Sequence, residues 1–168
     1  MISKNLEKAI NEQIKLEEQS SRIYMAMASW CEVNGLAGAA KFLYAHSDEE
    51  RDHMLKFVHF LNDRGGHAQL QELEAPGHSW NSLEELFKSV LDHERHVTSK
   101  INNLVDICLE EKDHTTNSFL QWFVTEQIEE ESLAQEIVDK IKLVGESKGA
   151  NFHLDMFLSG LAQAEAGA

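Results

Sequence analysis

Proline occurs once in the 168 residues, at Pro76, and cysteine twice. A chain this poor in proline can carry long helices, because proline in a helix interior removes a donor and breaks the ladder. Cys31 and Cys108 make no CxxC pair, which leaves no pattern for a redox dithiol or a cysteine zinc site. They read as small, reduced core residues. Long apolar runs are missing, and none approaches the ~20 residues that a membrane helix needs. The opening segment MISKNLEKAI has no apolar signal core, so a cytoplasmic location is expected. Basic residues are scarce. Lys and Arg number 15 against 29 Asp and Glu, a net charge of −14. That balance argues against nucleic acid or an anionic membrane as partner and favours cations.

What remains is helix. Hydrophobic residues make up 42% of the chain, strand-like alternation is rare, and the length suits one domain, 1–168, with a sizeable core. The first helix is expected from about Asn5 to Val33. Its apolar face is Leu6, Ile10, Ile14, Glu17, Ser21, Tyr24, Ala28 and Cys31, spaced three and four apart. Asn34-Gly35 ends it. The second is expected from Leu36 to Arg64, with Ala39, Phe42, His46, Glu50, His53, Phe57 and Phe60 on one face. A third, opened by a Ser82/Glu85 capping box, aligns Leu83, Leu86, Val90, Glu94, Val97, Ile101, Leu104 and Cys108. Residues Lys112 to Thr115 are expected to break it. The fourth aligns Phe119, Phe123, Gln127, Glu130, Ala134, Ile137, Ile141 and Val144. Phe152, Leu154, Phe157, Leu158 and Leu161 suggest a short fifth helix over about 150–162, with a frayed tail AEAGA.

Residues 65–81 hold the only proline and three of the nine glycines. A structureless connection this long is uncommon in a compact domain. It makes sense if it crosses a bundle. A helix of about 28 residues is roughly 42 Å long, and seventeen extended residues reach up to about 56–60 Å. Helices two and three are then parallel, and the expected fold is an all-α four-helix bundle over about 5–144 with a short fifth helix.

The apolar stripes carry polar insertions at related positions. Adding 77 to 17, 50 and 53 gives 94, 127 and 130, and the residues are Glu17/Glu94, Glu50/Gln127 and His53/Glu130. All lie near mid-helix, so antiparallel pairs bring them to one layer. Four carboxylates facing one another in a core repel and resist ionisation. No Lys or Arg lies on these stripes to neutralise them. Two divalent cations would. Two carboxylate helices and two helices carrying a ligand pair at i, i+3 form the arrangement that binds two metals in a bundle core. Carboxylates suit hard ions, and imidazole adds iron, zinc and manganese. Glu50 is the natural bridge. Glu17 and His53 complete one site, Glu94 and Glu130 the other, and neutral Gln127 gives at most a labile contact.

The segments KLEEQSSRIY around Glu17, HSDEERDH around Glu50 and His53, and FLQWFVTEQIEEE around Gln127 and Glu130 resemble the bacterial non-haem ferritins over nearly the whole chain. The helix order, long crossover and short last helix resemble that family too. The resemblance implies a ferroxidase centre, where two Fe(II) ions bind, O2 or H2O2 oxidises them, and Fe(III) is stored as ferric oxyhydroxide inside a hollow shell of 24 subunits. It implies a first iron on Glu17, Glu50 and His53 and a second on Glu50, Glu94 and Glu130, with Gln127 nearby. It also implies a third iron position matching Glu49, Glu126, Glu129 and Glu130. Tyr24, seven residues after Glu17, is implied to hydrogen-bond at the centre. Glu110, Glu111 and Asp113, at the turn between the third and fourth helices, match the neighbourhood of the family's threefold channel; a solvated acidic turn explains them equally well. In the haem-binding sister family a methionine precedes the histidine of the first ExxH. Here that position is Asp52, so no haem is expected.

Overall fold

The computed structural model of the chain describes residues 1–145 and 147–165. Five helices follow in order: α1 (Lys4–Val33), α2 (Ala37–Asp63), α3 (Leu83–Glu111), α4 (His114–Val144) and α5 (Lys148–Glu165). No strand occurs among the described residues, and no helix is long and apolar enough to cross a membrane. α1 packs along α2, α3 along α4, α1 touches α3, and α5 lies on α2.

Local chemistry sets the helix ends. The Ser3 hydroxyl accepts from Leu6 N at 3.0 Å and caps α1. Gly35, at φ 77°, closes it in the left-handed conformation that a side chain disfavours. At α3, Ser82 accepts from Glu85 N, while the Glu85 carboxylate reaches back to Asn81 N rather than to Ser82. The capping box is therefore present in a form shifted by one residue. The expected break after α3 is shorter than Lys112–Thr115. Lys112 takes the left-handed turn, and Asp113 accepts from Thr116 N, so α4 already starts at His114. Arg64 also donates to Asp113 at 3.0 Å, tying the end of α2 to this turn. Asp113 is thus held by a cap and an ion pair, while Glu110 and Glu111 stay exposed.

The crossover runs beside α1. His67 N donates to Glu7, Gln69 N to Asn11, and Gln19 to the Glu74 carbonyl. Trp80 then meets Trp30 edge to face, with ring centroids 6.0 Å apart. These contacts climb α1 from its first turn to its last. The segment returns along the bundle as its length required, and α2 and α3 are parallel. Buried Asn11 is satisfied because it also donates to the Glu7 and His67 carbonyls.

The apolar core comes in two parts. One gathers Tyr24, Phe42, Phe87, Val90, Ile137 and Ile141 with Leu154 and Leu158 of α5. The other gathers Ile10, Ile14, Phe57, Ile101, Leu120 and Phe123. Each fully buried Leu, Ile or Phe contributes about 1.5–3 kcal/mol. Between the parts lies a polar layer. Cys31 sits in the first and Cys108 in the second, and burial raises their thiols to about 12 and about 11. The stripes are shifted slightly from expectation. Ser20 is buried where Ser21 was expected, Leu61 where Phe60 was, and Val144 and Phe152 are exposed.

α5 runs from Lys148 to Glu165, longer than expected at both ends, and the remainder of the tail lies outside the described residues. It supplies what α2 lacks. Leu36 cannot cap α2, and the Asp155 carboxylate instead accepts from Ala39 N at 2.8 Å. Gly38 permits that approach, since a Cβ there would fall on the Asp155 carbonyl. Losing a cap costs about 0.5–2 kcal/mol, and a steric clash with backbone costs more. Asp155→Ala is therefore expected to lower the melting temperature by several degrees, and Gly38→Ala by more. Thermal unfolding followed by circular dichroism checks the order.

Candidate metal centre

Helical periodicity brings six polar side chains to the middle of the bundle. Glu17 comes from α1, Glu50 and His53 from α2, Glu94 from α3, and Gln127 and Glu130 from α4. All are buried. The i, i+3 spacing puts Glu50 and His53 on one face, with His53 Nδ1 3.6 Å from Glu50 Oε2. Gln13, one turn before Glu17, donates to its Oε1 at 2.7 Å. As carboxylates, Glu17 Oε2 and Glu50 Oε2 are buried and accept no hydrogen bond from the described residues, while with a proton on Glu17 the two carboxyls bond to each other. Such oxygens are costly in a core unless a further group satisfies them.

Glu94 is held differently. Tyr24 donates its hydroxyl to one carboxylate oxygen, and Gln127 donates to the other at 3.1 Å and to Thr98 at 3.3 Å. The Tyr24 ring lies edge-on to His46 and His93, and His93 Nε2 is 2.7 Å from the Ser20 hydroxyl. His46 Nδ1 faces the Phe42 carbonyl at 3.3 Å, and its Nε2 lies 3.7 Å from Glu130 Oε2.

The electrostatics follow from this packing. Burial, and then the Glu50 charge, hold the Glu17 carboxyl well above the usual carboxylate range. Burial and the charge of Glu94 do the same to Glu50. Burial raises Glu94, against the hydrogen bonds from Tyr24 and Gln127. Burial, then the Glu94 charge, raises the Tyr24 phenol well above its normal value. His46 and His93 are pushed down to about 4 by burial and are neutral near pH 7.

Among the described residues, three groups of His, Cys, Asp or Glu side chains bring ligand atoms within 4.8 Å of one another: Glu17–Glu50–His53, His46–Glu49–Glu130, and Glu49–His53–Glu126. The first is the set expected for the first ion. Glu94 reaches the same layer but stands in none of these groups, and Gln127 meets it there through its hydrogen bond to the Glu94 carboxylate. Glu130 stands with His46 and Glu49. Of the acidic set expected for a third position, Glu49, Glu126 and Glu130 fall in these groups, while Glu129 is exposed and falls in none. His46 and Gln13 were not read as site residues from the sequence. The signal was there: His46 lies one turn before Glu50 on the same stripe, and Gln13 one turn before Glu17. Trp122 lies edge-on to His53 at 5.3 Å, half-exposed, with Lys56 Nζ 3.6 Å above its ring.

The fold that carries this layer is matched by known proteins. The sequence pattern of the ferritin-like domain family covers residues 7–144. The chain belongs to the ferritin family. It is 43% identical to the bacterial non-heme ferritin of Campylobacter jejuni, over 96% of this chain and 97% of that one. It is 38% identical to the bacterial non-heme ferritin of Escherichia coli O157:H7, over 96% and 98%. Among solved structures, an open-pore ferritin from Archaeoglobus fulgidus matches with TM-score 0.93 and 40% identity, over 95% of this chain and 98% of that one. A humanized archaeal ferritin matches with TM-score 0.93 and the same identity, over 95% and 96%.

The raised carboxyls give a test of metal dependence. Because Glu17 and Glu50 hold their protons longer when folded, their contribution to stability is full below the unfolded carboxylate pKa of 4.5 and is lost as pH rises. The depressed histidines act oppositely between about 4 and 6.5 and add nothing further above that. As pH rises through the raised values of these carboxyls, the metal-free ferritin is therefore expected to lose stability, and added Co(II) to restore it more strongly the higher the pH. Glu17→Gln is expected to flatten the metal-free slope and reduce the Co(II) effect. Melting curves from pH 6.5 to 8, with and without Co(II), check both.

Proposed function

We propose that this ferritin is an iron-storage protein with ferroxidase activity, acting as a single domain over 1–168 in a shell of 24 copies. The observation that carries the reading is the buried Glu17–Glu50–His53 group, with one unsatisfied oxygen on each carboxylate. Ions with an oxygen- and nitrogen-rich preference, iron among them, suit this donor set. In this reading Glu17, Glu50 and His53 take one Fe(II), and Glu50, Glu94 and Glu130 take the other, with Gln127 as a weak contact. Each pair of Fe(II) ions gives two electrons to one O2, which leaves as peroxide, or to one H2O2, which is reduced to water. Hydrolysis of the two Fe(III) ions releases protons, and the product moves to the shell interior as ferric oxyhydroxide.

The protein's share is geometry and charge. Ionised carboxylates stabilise Fe(III) more than Fe(II), which favours oxidation. Tyr24 and Gln127 orient Glu94, so that its oxygens meet the second ion from a fixed direction. Glu49, Glu126, Glu129 and Glu130 form the third, weaker position. It receives support from Glu49, Glu126 and Glu130 lying within the clustered groups. The relatives named as non-heme ferritins support the same assignment without haem, and in this reading the protein works in the cytoplasm. The acidic surface gives no footing for nucleic acid.

His53→Ala and Glu50→Ala are each expected to slow rapid Fe(II) oxidation at least about tenfold, equivalent to ~1.4 kcal/mol of barrier, while helical content is kept. Stopped-flow absorbance after mixing with Fe(II) and O2 reads this, and wild-type rates in both would sink the assignment. Replacing Glu49, Glu126 and Glu129 together by Ala is expected to spare the first fast oxidation. It should change the Fe(II):O2 ratio and remove the weakest Fe(II) in an anaerobic calorimetric titration.

A further inference from the structure

A cavity of about 700 Å³ lies where the crossover passes over α1 and α3. The crossover is tied down on both sides of it, by Gln71 to the Asn11 carbonyl at 3.2 Å and by Gln19 to the Glu74 carbonyl at 3.1 Å. Part of its wall is Gln13, and that residue is only 2% exposed. The Gln13 amide is the group that donates to Glu17 Oε1 at 2.7 Å. One side chain therefore stands between this cavity and the carboxylate whose other oxygen has no hydrogen-bond partner.

The lining says what the cavity suits. Three lysines, Lys8, Lys15 and Lys100, face two glutamates, Glu12 and Glu74, in a chain whose net charge is −14. The local field is thus less favourable to a cation here than over most of the surface. Ala9, Leu16, Ile23, Ala75, Pro76 and Leu104 supply the apolar part of the lining, beside further polar side chains that include Asn5, His96 and Asn103. A second cavity, of about 320 Å³, reaches the layer from the α3–α4 side through Gln127, and it carries Glu131 and no basic residue. The contrast separates a side fit for cations from a side fit for a small uncharged molecule.

We infer that the cavity beneath the crossover is the access route of dioxygen to the metal centre, with Gln13 as the residue that separates the two. The inference rests on the ferroxidase reading. Dioxygen is uncharged, prefers apolar space to water, and is small enough to pass when the Gln13 amide turns away from Glu17. No chemistry occurs in the cavity. Its effect is on how much dissolved oxygen the centre needs.

The test uses the assembled protein. Ala9→Trp fills the cavity from α1, and Ala75→Trp fills it from an exposed crossover position should the first variant fail to assemble. Initial rates of Fe(II) oxidation are measured against dissolved O2, with the anaerobic Co(II) absorption spectrum as a readout of the ligands. The expected result is a several-fold rise in the O2 concentration for half-maximal rate. The maximal rate and the Co(II) spectrum should stay as in the wild type. Lys8, Lys15 and Lys100 are also reversed together to Glu, and neither the O2 nor the Fe(II) requirement should change. Unchanged O2 dependence in the tryptophan variants overturns the inference. A lower Fe(II) requirement in the reversed variant also overturns it, because the cavity would then admit the cation. A wild type that oxidises Fe(II) with neither O2 nor H2O2 fails the ferroxidase reading itself, whereas one that uses H2O2 alone, or that consumes O2 with variants of unaltered O2 dependence, fails only the cavity.

Discussion

Buried carboxylates with no Lys or Arg among them are the constraint on which the rest of this structure turns. Glu17, Glu50, Glu94 and Glu130 meet in one layer, and their burial and mutual charge resist ionisation. An apolar bundle of the same length would be more stable without them. Their cost explains the division of the core into two apolar parts, each long enough to hold the bundle while the middle is given to polar groups. It also explains the hydrogen bonds that fix the layer. Gln13 on Glu17, and Tyr24 and Gln127 on Glu94, satisfy some oxygens and leave others open.

Positioning at this layer depends on contacts far from it. The crossover is held to α1 by Glu7, Asn11 and Gln19, and by Trp30 against Trp80. Those contacts hold the crossover along α1, the helix that carries Glu17 and touches α3. At the other end, α5 caps α2 through Asp155 and packs Leu154 and Leu158 into the first apolar part. The helix that carries Glu50 and His53 is thereby anchored by a segment distant in sequence.

Most of the helical frame was legible because its signals are local. Stripes of period 3.6, a serine cap at α3 and glycine after α1 and α4 are set by residues within a few positions of each other. Depth was legible too, since a helix rises a fixed amount per residue and the polar insertions all fall at mid-length. Errors fell where tertiary contacts decide. The break before α4 is shorter than expected because Asp113 caps it while pairing with Arg64, a partner 49 residues away. Phe60 gave way to Leu61 and Ser21 to Ser20 because a stripe read in steps of three and four leaves a one-residue ambiguity that only packing removes.

By itself, the sequence determined that the chain is helical, that α2 and α3 run parallel, and that one layer gathers carboxylates and a histidine with no basic residue among them. These follow from periodicity, chain length and residue type. The tertiary structure alone decided how the layer is divided. It set Glu17, Glu50 and His53 within 4.8 Å, turned Glu94 toward Tyr24 and Gln127, and brought His46 to Glu130 and Glu49. It also decided that Gln13 stands between the centre and a cavity under the crossover. The reason is physical: helical periodicity fixes the face and depth of a side chain, but rotamers and partners on other helices fix where its last atoms lie.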